Sequence, residues 1–192
     1  MTKIVLASSS TYRQELLKKL GLEFDSISPG ISETPKVDEK PDCQALRLAQ
    51  EKAAAAAPSF PNALIIGSDQ VAVLCGKQLV KPMTRDNAIR QLRAASGRCV
   101  VFYTAVCVLN TATGDMKAEI DRCLVHFREL SDKEIERYVD REQPFDCAGG
   151  FKSEGLGIVL FERFEGEDPN ALVGLPLIRL ARLLESFGVQ VI

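Results

Sequence analysis

The sequence predicts an α/β protein in which helices flank a mixed, twisted sheet. Three observations predict it. The run KIVLA at 3–7 is continuously apolar, as a strand buried on both faces must be. Helical patterns alternate with such runs through the first half of the chain. Two long segments, RCVVFYTAVCVLN and KAEIDRCLVHFREL, meet at a turn at Thr113-Gly114 and read as an antiparallel pair.

Each element follows from local chemistry. After KIVLA, three serines precede a helical pattern through Leu16, Leu17 and Leu20, with Gly21 as its stop. A second strand near 23–28 leads into the acidic, proline-marked loop PGISETPKVDEKP. Asp42 is the expected cap of an alanine-rich helix running to about Ala57. NALIIGSDQVAVL reads as a strand, and Thr84 opens a helix ending near Gly97. Beyond the two long strands, Ser131 and Glu134 form a capping box for a helix to about Arg141. A glycine-dense stretch, AGGFKSEGLG, precedes an expected strand at IVLFERF. Pro176 sits in the first turn of a last helix with Leu177, Leu180 and Leu184 on one stripe. No repeat or linker splits residues 1–192, so one domain is expected, as one compact unit or as two lobes about a cleft.

Composition narrows the function. Hydrophobic residues at 46% and charged residues at 26% are those of a globular protein. A formal net charge of -2 gives no general attraction to nucleic acid polymers or anionic membranes, so polyanions would need a few placed cations. No stretch is apolar enough to span a bilayer or to act as a signal peptide, and a cytoplasmic location is expected. The six cysteines lack CxxC spacing and read as reduced, largely buried small hydrophobes. His126, in the alternating CLVHFREL, reads as a packed strand histidine rather than half of a nucleophilic pair.

Several polar residues stand where a fold would rather have none. Ser8, Ser10 and Arg13 follow a buried strand and open a helix, where sheets of this class bind ligands and free N–H groups favour phosphate. Arg13 there meets the positive end of the helix dipole, a conflict that a bound anion removes; alternatively Ser10 caps the helix and Arg13 reaches into water. Lys52 shares a helix face with Ala45, Leu48, Ala49 and Ala56, so it either snorkels out or points into a cleft that needs positive charge. Asp69 interrupts LIIGSDQVAVL on the face of Ile65, Val71 and Val73. A buried carboxylate needs a cation, a metal or a raised pKa, and each is also how a base or metal ligand is made; a hydrogen-bonded structural aspartate is the second reading. Glu33, Lys81, Lys152 and Glu154 are weak signals singly. The P-loop, dinucleotide, GxSxG and HExxH patterns are all missing.

Taken together, LASSSTYRQELL, Glu33-Thr34, AQEKA, GSDQ, Lys81-Pro82, AGGFKSEG and DPNALVGLPL resemble the Maf family of nucleotide pyrophosphatases, most closely its YceF-type branch. The resemblance implies a Maf/ITPase-like mixed sheet with a deep ligand cleft, often dimeric. It implies hydrolysis of a nucleoside triphosphate to monophosphate and pyrophosphate, aided by a divalent cation, Mg²⁺ or Mn²⁺. It assigns phosphate binding to Ser8, Ser10, Arg13, Lys52 and Lys81, the proton-accepting role to Asp69, and metal binding to Glu33 with Asp69. Tyr12, Gln70 and Glu154 match the positions tied to substrate choice, and 7-methyl-GTP is the implied substrate. The delocalised positive charge of 7-methylguanine suits an aromatic face and a carboxylate, although plain packing at the helix start is a second reading of Tyr12. Hydrolysis of UTP, dTTP or other modified nucleotides and a non-catalytic role as a nucleotide-binding regulator of septum formation are the alternatives.

Overall fold

A computed structural model describes residues 2–192. Its seven strands form one mixed sheet in the order β2-β1-β3-β5-β6-β7, with β4 beside β3. The strands are β1 (Lys3–Leu6), β2 (Asp25–Ser26), β3 (Ala63–Leu74), β4 (Lys77–Leu79), β5 (Cys99–Asn110), β6 (Met116–Phe127) and β7 (Phe161–Glu165). The helices are α1 (Thr11–Lys18), α2 (Pro41–Ala56), α3 (Arg85–Ala95), α4 (Asp132–Glu142), α5 (Pro169–Val173) and α6 (Leu177–Glu185). The chain divides into two units, the first comprising the chain up to Gln70, Tyr103–Asp121 and Asp168–Ile192. The second comprises Val71–Phe102 and Arg122–Glu167. Among the described residues no helix is long and apolar enough to cross a membrane.

In the first unit β1 runs parallel to both β2 and β3, with Lys3 to Leu6 opposite Ala63 to Ile66. Side chains alternate between faces along a strand. One face of this sheet presents Ile4, Leu6, Leu64, Ile66, Val106 and Val108 to Leu16 and Leu17 of α1 and to the leucines of α6, forming the core. Each fully buried leucine contributes about 1.5–3 kcal/mol. The other face meets α2, whose Ala45, Ala49, Ala53 and Ala56 are buried. Contact there is backbone to backbone. A Cβ on Gly67 would lie 2.0 Å from the Ala49 carbonyl oxygen, so only glycine lets β3 approach the helix this closely.

In the second unit β3 and β4 form a hairpin across Cys75 and Gly76, whose φ angles of 48° and 77° are those of a tight primed turn. Helices α3 and α4 are joined by exposed ion pairs, Arg85 with Asp140 and Arg93 with Asp132, whose worth is small in water. Phe102, Phe127, Phe151 and Phe161 pack edge to face, with ring centroids 5.1–5.6 Å apart.

Several sequence expectations are corrected. Lys40, not Asp42, is the N-cap of α2; Pro41 takes the first helical position, where its missing N–H costs nothing, and Asp42 lies in the first turn. Residues 156–160 coil as a 3₁₀ turn, so the strand expected at 158–164 starts only at Phe161. The coil follows from Gly157, whose N–H bonds to the Lys152 carbonyl in space that a side chain would fill. Pro176 is the N-cap of α6 rather than part of its first turn. The strand expected near 23–28 shrinks to Asp25–Ser26. All six cysteines are free as expected, but Cys43 and Cys75 are exposed and Cys99 and Cys147 half-buried, leaving Cys107 and Cys123 in the core.

Replacing Gly67 with alanine is expected to destabilise the protein by about 2 kcal/mol or more, because backbone on both sides must move. Urea unfolding measures this; an unchanged midpoint would show that α2 has slack against β3.

Candidate active site

The close approach at Gly67 brings two buried charges together. One helical turn along α2 from Ala49 is Lys52's neighbourhood, and two residues along β3 from Gly67 is Asp69, on the same face. Lys52 is 5% exposed and Asp69 7% exposed. The Lys52 Nζ donates to Asp69 Oδ1 at 2.6 Å and lies 2.6 Å from Glu33 Oε1. Lys52 therefore does not snorkel; it joins an exposed carboxylate to a buried one.

Burial pushes the Asp69 carboxyl above its ordinary value, while the charges of Lys52 and Arg13 pull it back and Glu33 adds to the rise. Asp69 thus has both a cation and a raised pKa. In the folded protein it holds a proton more tightly than in the unfolded chain. This favours the fold in acid, and the benefit is lost as pH rises through the folded-state value.

At the carboxyl end of β1 the serines organise a turn. Ser8 is buried and its Oγ accepts the Ser10 N–H at 3.1 Å. The Ser10 Oγ accepts the Arg13 N–H at 3.4 Å as the N-cap of α1. Arg13 does not reach into water. Its Nε donates to the Gly174 carbonyl at 2.8 Å, which fixes the plane of the guanidinium. Burial lowers the guanidinium pKa, partly offset by the charges of Asp69 and Glu33. No acidic residue lies in the first turn of α1, so the charge that offsets Arg13 at its positive end comes from Asp69 and Glu33 instead.

The loop bearing Glu33 is tied to α2 by Arg47. Arg47 Nε and Nη2 grip both oxygens of Glu39 at 2.6 Å, Nη1 reaches Glu51 at 2.9 Å, and Nη2 bonds the Thr34 carbonyl at 3.4 Å. The grip of Arg47 holds the Glu39 carboxyl down to about 2. Sequence reasoning missed this clasp. The Arg47/Glu51 spacing along one helix was its visible half.

The other expected residues fall in different surroundings. Gln70, on the opposite face of β3 from Asp69, donates through Nε2 to Thr104 Oγ1 and to the Ala171 and Leu172 carbonyls at 3.0–3.1 Å. Tyr12 is half-buried in the first turn of α1. Lys81 and Glu154 belong to the second unit, and both are exposed. Lys152 turns inward, its Nζ donating to the Glu142 carbonyl at 3.1 Å, which gives it a structural use. His126 Nε2 pairs with Glu165 at 2.9 Å and lies 3.9 Å from Cys99 Sγ through the same nitrogen, so no relay of the cysteine-histidine-acid kind is formed.

A divalent cation would find two carboxylates here, Glu33 and Asp69, both of which also meet Lys52. Among the described residues no group of three or more histidine, cysteine, aspartate or glutamate side chains is gathered for a metal. Glu33 and Asp69 are both within reach of one ammonium, and thus of one small cation. Two hard oxygen donors, with phosphate and water completing the shell, suit Mg²⁺ or Mn²⁺ better than a caged resident ion.

Comparison with known proteins gives a family and close relatives. The family model described as Maf-like protein matches residues 3–187. A 7-methyl-GTP pyrophosphatase of Methylobacillus flagellatus is 56% identical over 192 residues, 100% of both chains. A 7-methyl-GTP pyrophosphatase of Nitrosococcus oceani is 53% identical over 98% of this chain and 95% of its own. Among solved structures, the Staphylococcus aureus Ham1 protein aligns with a TM-score of 0.52 at 14% identity, over 96% of this chain and 99% of its own. That likeness bears on the fold alone.

Replacing Lys52 with methionine removes the cation that most strongly holds the Asp69 carboxyl down. Asp69 is expected to take its proton at higher pH still, and stability at neutral pH to fall by about 3–5 kcal/mol, since a buried carboxylate loses its hydrogen-bonded cation. Carboxyl NMR titration of the metal-free protein, with urea unfolding, reads both. An Asp69 titration unmoved by the substitution would contradict the pairing.

Proposed function

The chain belongs to the Maf-like protein family, and on that premise we propose that it hydrolyses 7-methyl-GTP to 7-methyl-GMP and pyrophosphate. The observation that carries the chemistry is the buried contact of Lys52 with Asp69, extended to Glu33. A carboxyl raised by burial and restrained by Lys52 and Arg13 is poised to gain proton affinity when Lys52 is drawn elsewhere. An arriving triphosphate draws it.

In this mechanism Ser8, Ser10 and the first N–H groups of α1 receive phosphate oxygens, with the Arg13 fork beside them. Lys52 offsets the remaining charge. Asp69 accepts a proton from water as its oxygen bonds to the α-phosphorus. The bond from that phosphorus to the α–β bridging oxygen breaks, and pyrophosphate leaves with the electron pair. A divalent cation held by Glu33 and Asp69 would supply further neutralisation of phosphate charge. Tyr12 and Gln70 recognise the base, Tyr12 by its ring face. The relatives named for 7-methyl-GTP support this choice of base, because they are more than half identical along their whole length. The reading places the work in the cytosol on a free nucleotide, and it holds whether or not the chain pairs with a second copy.

Pyrophosphate release from 7-methyl-GTP, GTP, UTP, dTTP and CTP, each with Mg²⁺, Mn²⁺ or no added metal, tests it. The expected result is a clear preference for 7-methyl-GTP in the presence of metal. Asp69→Asn is expected to lower kcat by roughly 10²–10⁴ with little change in binding. Preference for UTP or dTTP would overturn the base assignment, and near-normal turnover by Asp69→Asn would overturn the base catalyst.

A further inference from the structure

Asp168 is completely buried, yet nothing in the mechanism above uses it. Its Oδ1 accepts the Asn170 N–H at 2.8 Å and the Asn170 Nδ2 at 2.9 Å, closing the first turn of α5. Its Oδ2 accepts the Ile178 N–H at 2.7 Å, in the first turn of α6. One carboxylate therefore fixes both ends of the segment 168–178. Buried carboxylates are costly unless all their acceptor capacity is engaged, and here both oxygens are bound by N–H groups.

The segment so fixed points its carbonyls at site residues. Gly174 accepts from Arg13 Nε at 2.8 Å and lies 3.0 Å from Ser68 Oγ, whose one hydrogen also has the Ala105 carbonyl at 2.8 Å. Ala171 accepts from Gln70 Nε2 at 3.0 Å and from Thr104 Oγ1 at 2.9 Å, and Leu172 accepts from Gln70 Nε2 at 3.1 Å. The Thr104 hydrogen goes to Ala171, so its oxygen can only accept from Gln70. Every partner of the Gln70 amide nitrogen is an acceptor. This fixes which end of the amide is which: the nitrogen faces Thr104 and the 168–178 segment, and the carbonyl oxygen is the other end.

We propose that Asp168 is a positioning residue for substrate binding. By holding 168–178 it aims the Arg13 fork at phosphate, and it turns the Gln70 carbonyl toward a ligand N–H or O–H donor. A Gln70 held this way repels phosphate oxygens and accepts from a base edge such as the N1–H and N2–H groups of 7-methylguanine. The proposal rests on the triphosphate reading above and adds the device that joins its phosphate-binding and base-selecting ends.

Asp168→Asn keeps the shape but sets an amide N–H₂ against either the Ile178 or the Asn170 N–H, so one anchor is lost. Asn170→Ala is a milder second variant, and Val108→Ala, in the core toward the far end of β5, is a control for stability loss alone. Melting temperature is measured for each, with KM and kcat for 7-methyl-GTP and for its 2-amino-lacking analogue, 7-methyl-ITP. Calorimetry follows the binding of 7-methyl-GTP and of inorganic tripolyphosphate. The expected result for Asp168→Asn is a rise in KM of about tenfold or more, weaker tripolyphosphate binding, and a reduced preference for 7-methyl-GTP over 7-methyl-ITP. Asn170→Ala is expected to move the same quantities less, and to carry the test alone if Asp168→Asn does not fold. Val108→Ala is expected to lower the melting temperature without changing KM. Unchanged KM, binding and preference in a folded Asp168→Asn or Asn170→Ala would overturn the proposal, as would equal KM changes in Val108→Ala. Should the wild type bind but not hydrolyse nucleotides, the pyrophosphatase reading fails, and the calorimetric comparison still decides the role of Asp168.

Discussion

The contact between Lys52 and Asp69 depends on how near a helix can come to a strand. At Gly67 the separation is set by backbone atoms, because a Cβ would lie 2.0 Å from the Ala49 oxygen. Alanines at 45, 49, 53 and 56 keep the helix side equally thin. A lysine and an aspartate that would elsewhere face solvent then meet at 2.6 Å with almost no exposure. Isolated, either charge would be too costly to bury; together, and with Glu33 at the rim, they are tolerated. The same burial that makes the pair costly raises the Asp69 pKa, and the proposed mechanism draws on that raised proton affinity.

Around this pair, small anchors set larger parts. Arg47 ties the Glu33 loop down through Glu39 and the Thr34 carbonyl. Asp168 ties the α5–α6 segment, whose carbonyls hold Arg13 and Gln70. In both places a side chain that touches no reacting atom fixes the direction of one that would. Aiming of this kind is worth much in phosphoryl transfer, where little covalent chemistry falls to the protein.

Much of this was legible in the sequence, and the failures have physical reasons. Asp69 stood out because a carboxylate in an apolar strand has few stable explanations, and Lys52 because its spacing put it on the buried face of α2. The capping box at Ser131 and Glu134 formed as read, since its donors and acceptors are local. Hairpin β3–β4 was missed because its turn is Cys75-Gly76 rather than an asparagine-glycine pair, and its return strand is only three residues long. The strand at 158–164 was overextended because Gly157 coils the chain for a reason 5 residues upstream, at the Lys152 carbonyl. Thr104 and Asp168 gave no periodic signal. Their roles lie in bonds to backbone far along the chain, which spacing does not reveal.

The most direct test of the account is where the water oxygen goes. Hydrolysis of 7-methyl-GTP in ¹⁸O-labelled water, followed by mass spectrometry of both products, reports which phosphorus is attacked. Attack at the α-phosphorus beside Asp69 predicts one ¹⁸O atom in 7-methyl-GMP and none in pyrophosphate. Label in the pyrophosphate, or in orthophosphate, would place the attack elsewhere on the chain of phosphates and contradict the mechanism.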